Sequence, residues 1–145
     1  MTREDIMSAL FALIKGAADF KRTGRRLQLW TDVAPADKPA MFMSEHDEDS
    51  VNPDDSTPGK LTINAKIWIY TDAGLDQSVE PIIELNNLID SVWKVLQPNN
   101  PVQNVFYIPG TPARVRIDGK VIKDAGDIDG NGLAIIPLKI LVPSF

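Results

Sequence analysis

Between Lys60 and Gly74 the chain alternates with a period of two. Leu61, Ile63, Ala65, Ile67 and Ile69 fall on one side, and Thr62, Asn64, Lys66, Trp68 and Tyr70 on the other. That period places successive side chains on opposite faces of a strand, and this is the clearest strand signal in the sequence. Near the N-terminus the period changes: Ile6, Leu10, Leu13, Ile14 and Ala17 recur at helical spacing. Thr2 stands where an N-cap belongs, and Glu4 and Asp5 lie in the first turn, near the positive end of the helix dipole. Gly16 offers a stop, and the pattern could continue to Asp19 or Phe20. A second helix is predicted from near Ser78, with Pro81 tolerated in its first turn and Pro98 beyond its end. Its core stripe is Ile82, Leu85, Ile89, Val92 and Leu96, supported by Leu88 and Trp93.

The remaining apolar runs are short. "LQLW" (27–30), "AMFMSE" (40–45) and "NVFYIPG" (104–110) read as strands. "ARVRIDGKVIK" (113–123) reads as a hairpin, because Asp118-Gly119 is a dipeptide that suits a type I′ turn. "GLAIIPLKILVP" (132–143) reads as a strand buried on much of both faces, in which Pro137 demands a bulge or an edge position. The stretch 45–59 carries Glu45, Asp47, Glu48, Asp49, Asp54 and Asp55 with two prolines, and is predicted to be an exposed, mobile acidic loop. The order α-β-β-β-α-β-β-β-β implies one α+β domain over 1–145, a mixed and mostly antiparallel sheet with both helices packed on it.

Composition narrows the function classes. With 145 residues, 43% of them hydrophobic, the chain can bury one sizeable core. A net charge of −5 argues against a dedicated nucleic-acid binder. Without cysteine there is no disulfide framework, thiolate nucleophile or cysteine-held zinc or iron–sulfur cluster. The N-terminal apolar run lacks a basic flank, is broken by Lys15 and is too short to span a bilayer, so a protein made in the cytoplasm with no membrane partner is expected.

"DIDGNG" (127–132) resembles the start of a calcium loop: with Asp127 first, Asp129, Asn131 and Gly132 fit the alternate positions. The closing position, however, is Leu138, which cannot coordinate, and strands rather than helices flank the stretch, so it reads as a connection between strands. His46, the single histidine, sits among acids, which would suit a divalent metal or a small enzyme only if the segment were rigid. "IPGTPARV" lacks the lysine and spacing of a phosphate loop, and no nucleophile-elbow pentapeptide occurs. No catalytic residue, metal ligand or cofactor site is expected. Arg114, Arg116, Lys120 and Lys123, with Lys21, Arg22, Arg25 and Arg26, could form a phosphate-binding patch, but solvated faces and guarded sheet edges explain them more simply. Trp30 and Trp93 read as packing residues. Trp68 and Tyr70 lie on the polar side of the best strand, which a helix or a partner protein must then cover.

"LQLWTDVAPADKPAMFM", "KLTINAKIWIYTDAG", "LNNLIDSVWKVLQP" and "GKVIKDAGDIDGNGLAIIPLKILV", in that order after a short helix, resemble the tail terminator proteins of tailed phages, small minor tail or tail-completion proteins. The resemblance runs along nearly the full length and rests on order and size, with no catalytic signature. It implies a non-enzymatic virion protein that forms a six-fold ring on the finished tail tube, ends tube polymerisation and docks to the head connector. Its partners would be further copies of itself, the tube protein and the connector protein, with DNA only in passage through an acidic lumen that repels phosphate. Another neck or head-completion protein would share this size and composition. The residues expected at subunit or partner contacts are Arg22, Arg25, Arg26, Glu45, Asp47, Glu48, Asp49, Trp68 and Tyr70, the basic and acidic segments steering association and the aromatic pair supplying apolar contact.

Overall fold

The computed structural model describes residues 1–56 and 59–143. Helix α1 spans Arg3–Lys15. Its start is fixed by a reciprocal capping box, in which the Asp5 amide donates to Thr2 Oγ1 and the Thr2 amide to the Asp5 carboxylate. Strand β1 (Arg22–Gly24) follows, then two 3₁₀ turns at Trp30–Asp32 and Pro35–Asp37, and the long strands β2 (Ala40–Val51) and β3 (Lys60–Asp72). Helix α2 (Pro81–Val95) has Pro81 in its first turn, where the missing N–H costs nothing. The chain ends in β4 (Phe106–Tyr107), β5 (Arg114–Ile117), β6 (Ile122–Asp124) and β7 (Asn131–Val142).

One sheet runs in the order β1-β2-β3-β7-β5-β4, and β6 also pairs with β7. Among the described residues only the β1–β2 pair is parallel, so the fold is the expected α+β domain with a mixed, mostly antiparallel sheet. Both helices cover one face. Met41, Met43, Ile63, Ile67, Ile69, Ile136, Leu138 and Ile140 there meet Ile6, Met7, Leu10 and Ile14 of α1 and Leu85, Leu88, Ile89 and Val92 of α2. Each such side chain contributes about 1.5–3 kcal/mol by leaving water. On the opposite face the segment between β1 and β2 covers a smaller cluster of Val33, Ala40, Phe42 and Tyr70.

Four expectations need correction. The acidic stretch is no mobile loop as far as Val51: residues 45–51 belong to β2, and only the part after Val51 connects strands. Its charges did not prevent strand formation, because every one of these side chains remains exposed. The first strand is Arg22–Gly24, not 27–30. Pairing with Ala40–Phe42 is available only to the earlier residues, and the later ones turn away into the 3₁₀ turns. Trp30 and Trp93 are not core residues but 46% and 45% exposed.

The fourth correction concerns Asp118-Gly119, which forms no hairpin: β5 and β6 do not pair with each other but lie end to end along β7. Pro137 explains the interruption. It stands in the middle of β7, its carbonyl accepts from the Asp118 amide, and it has no N–H to return to the same side. The neighbouring strand therefore breaks between Ile117 and Ile122. Gly119, at φ +122, lies against the Pro137 ring, 3.2 Å from where a Cβ would stand to Cγ.

Candidate functional site

The register of β2 sorts the acidic residues. A bulge between Glu45 and Glu48 sets Glu45 opposite Ala65 and Glu48 opposite Ile63, both on the helix-covered face. A regular strand would have sent those two glutamates to opposite faces. Glu48 accepts from Arg3 Nε at 2.8 Å. Glu45 accepts from Arg25 Nη2 at 3.0 Å, and Arg25 also clasps both carboxylate oxygens of Glu4. The bonds from Arg25 and Ser8 hold the Glu4 carboxyl below its ordinary pKa, and the bond to Glu4 raises that of Arg25. The two segments expected to attract a neighbouring subunit thus meet within one chain.

The bulged residues turn the other way. Asp47 accepts from Asn64 Nδ2 at 2.7 Å. The His46 ring bonds the Ser44 hydroxyl, which in turn accepts from Trp68 Nε1. Asp49, opposite Thr62, and Arg26 are exposed. Arg22 reaches Asp37 at 3.5 Å, a pair too long and too exposed to hold much.

Trp68 is half-buried on the sheet face away from the helices. Tyr70 is not a contact residue: it is 4% exposed, its hydroxyl donates to the Gln28 carbonyl at 2.6 Å, and burial raises its pKa. A connecting segment, rather than a helix or a partner, covers that end of the face. Arg114 and Arg116 lie on the same face further along, with Arg116 held by Asp118. Lys123 points instead to the helix side, where it donates to Asn86. The eight basic residues considered together in the sequence therefore form no single patch.

The stretch 127–132 joins β6 to β7 and closes tightly on another connection. The Gly130 carbonyl accepts from the Ala73 amide at 2.8 Å, and its own amide donates to Gly126. Gly130 (φ +80) admits no side chain, since a Cβ would stand 2.2 Å from the Gly74 carbonyl oxygen. Asp129 caps its own turn by accepting from the Asn131 amide, and that bond lowers its pKa. Among the described residues no three His, Asp or Glu side chains are grouped as a metal would require.

The surface at this end of the sheet is not visible in the hydrophobic pattern of the sequence. Three connections meet there: 25–39, 73–80 and 125–130. Lys38 ties the first to the start of β7, where the third ends, by donating to Asn131 Oδ1 at 3.3 Å, its ammonium 5.7 Å from the centre of the Trp30 ring. The three carry exposed apolar side chains: Leu29 at 69%, Trp30 at 46%, Leu75 at 80%, Val79 at 44% and Ile128 at 93%. A groove of ≈370 Å³ between the second and third is lined by Val79, Ile82, Ile128 and the acids Asp76, Glu80 and Asp127. The available signal was the placing of Leu75, Val79 and Ile128 among turn-forming Gly, Asp and Ser, where no core can use them. Comparison with protein-family models and with curated proteins finds no match.

Proposed function

We propose that this is a structural assembly protein of a tailed-phage virion, one that caps the tail tube as a ring, ends tube growth and presents the surface to which the head connector docks. The observation that carries the reading is the set of exposed apolar side chains on three interlocked connections at one end of the sheet. Loops normally expose polar groups, and five apolar residues raised on loops that are braced by Gly130, Ala73 and Lys38 have the form of a built contact surface. The resemblance of the sequence to tail terminators supplies the partner, and the ring would be a homo-oligomer, a hexamer in the assembled tail.

The test is to image the purified protein alone and after addition to growing tail tubes. Rings, and tubes arrested with one end capped, are expected. The variant Leu75→Asp/Ile128→Asp should keep its melting temperature and lose end-capping, because both positions are exposed. Tubes that continue to grow at the same rate with saturating protein, and carry nothing at their ends, would refute the function.

A further inference from the structure

We infer that copies of this chain join edge to edge, the free edge of β2 in one copy pairing antiparallel with the free β5–β6 edge of the next. This rests on the ring reading above and names the interface that would close the ring. The sheet has two uncovered margins. On one side β1 covers only Ala40–Phe42, so from Met43 to Val51 strand β2 has no outer neighbour among the described residues. On the other side β4 reaches only Arg114 and Val115, so Arg116–Ile117 and Ile122–Asp124, with the break at 118–121 between them, have no outer strand among the described residues. Measured along their inner neighbours, the two stretches span Ile67 to Lys60 of β3 and Lys139 to Leu133 of β7, about 20–23 Å at the usual strand rise. Unpaired strand backbone of that length is a template for a further strand.

Three features select a second copy as the occupant. The first is direction. Strand β2 is antiparallel to β3, β3 to β7, and β7 to β5 and β6, so β2 and β6 run in opposite senses. When one sheet continues into the next without inversion, β6 and the neighbour's β2 meet antiparallel, the better of the two ladders. The second is charge. On the β2 margin Glu45 and Glu48 are paired in the chain with Arg25 and Arg3, which leaves Asp47 and Asp49; on the other Arg116 is paired with Asp118, which leaves Lys120 and Lys123 against Asp124. Like margins repel and unlike margins attract, which favours a head-to-tail contact over a two-fold one. The third is the bulge at Glu45–Glu48, which blocks indiscriminate pairing of a flat edge while leaving the segments before and after it available.

The chain contains no cysteine, so cross-linking reads the contact directly. His46→Cys or Asp49→Cys marks the β2 margin, and Lys120→Cys or Lys123→Cys the other, all at exposed positions. Opposed residues of an antiparallel pair lie close enough for a disulfide after small adjustment. Under mild oxidation each single-cysteine protein should remain uncross-linked. A mixture of one from each margin should give dimers only, and at least one of the four double variants should give a ladder ending at the ring size. Changing to Glu whichever of Lys120 and Lys123 is not the cysteine in that double variant should cut the ladder yield severalfold at low salt, and Asp47→Lys added to it should restore part of the loss.

Efficient dimers from a single β2-margin cysteine would overturn the inference in favour of a two-fold contact. Imaged rings with no ladder from any double variant would overturn it while leaving the tail-cap function standing. Absence of both rings and ladders, with tubes left uncapped, would remove the two together.

Discussion

Replacing Gly130 with alanine tests whether the connections 73–80 and 125–130 at the apolar end form one rigid surface. Two costs are separable. Gly130 and Gly74 both have left-handed backbone, at φ +80 and +73, so either substitution incurs about 1–2 kcal/mol of backbone strain. At Gly74 nothing lies within 4 Å of the added methyl, whereas at Gly130 it would stand 2.2 Å from the Gly74 oxygen. Relieving that overlap needs a backbone shift on the order of 1 Å, which would carry the 2.8 Å bond from Ala73 to Gly130 out of hydrogen-bond range. A buried carbonyl left without its donor adds about 1–3 kcal/mol. Gly130→Ala should therefore cost about 2–5 kcal/mol, against about 1–2 for Gly74→Ala. For a domain of this size each kcal/mol lowers the melting temperature by roughly 3–5 °C. Paired thermal and urea melts make the comparison, and melting temperatures agreeing within about 2 °C would mean that the two loops are not locked together.

Ile67→Ala and Ile136→Ala, in the helix-covered core, should each cost about 2–5 kcal/mol in urea unfolding, and Asp49→Ala should stay within about 0.5. Tyr70→Phe should cost about 1 kcal/mol through the lost bond to the Gln28 carbonyl, whereas the same change would be silent if Tyr70 were a partner-facing residue. The carboxyls of Glu4, Asp5, Asp76 and Asp129 are held below their ordinary pKa values by hydrogen bonds in the fold. Each contributes stability that is complete above its unfolded value, 4.5 for Glu4 and 3.8 for the aspartates, and is lost as pH falls through the lower folded value. Melting temperature should hold on descent to about pH 5 and then fall, and Glu4→Gln should flatten part of that fall.

Whatever depended on local period was legible in the sequence. The alternation in β3, the stripe of α2 and the cap of α1 all stand in the structure, because burial against one layer enforces them. The sequence misled where a local signal competed with a tertiary partner. Asp118-Gly119 favours a two-residue hairpin, but the long apolar strand β7 offers both halves a better neighbour, and Pro137 explains the break between them. The acidic stretch lacks every mark of a core strand, yet β3 supplies a partner whose ladder does not require burial of the β2 side chains. Arg25 and Glu45 looked like complementary surfaces of two molecules because the fold that joins them through Glu4 leaves no trace in spacing. The end surface was hidden for the same reason: its three loops are far apart in sequence.

That in-chain pairing changes what electrostatics can contribute to assembly. Arg25 already serves Glu4 and Glu45, so reversing its charge would repel two carboxylates of its own fold before any partner felt it. Asp47, Asp49, Lys120 and Lys123 are exposed along the two sheet margins and are the charges left to steer the proposed assembly. Strand margins and strand ends are perpendicular features. A ring closed through the margins would therefore leave the ends of the strands on its two rims, tilted as strands are in any closed sheet. One rim would carry Leu29, Trp30, Leu75, Val79 and Ile128, and the other the connection after Val51 together with Val102 and the residues around Pro109. A protein that must bind a tube on one side and a connector on the other needs two unlike rims and a lateral contact that uses neither. The proposed ring would meet that need with backbone and charge at the margins, five exposed apolar side chains among acids at one end, and Val102 with Asp54 and Asp55 at the other.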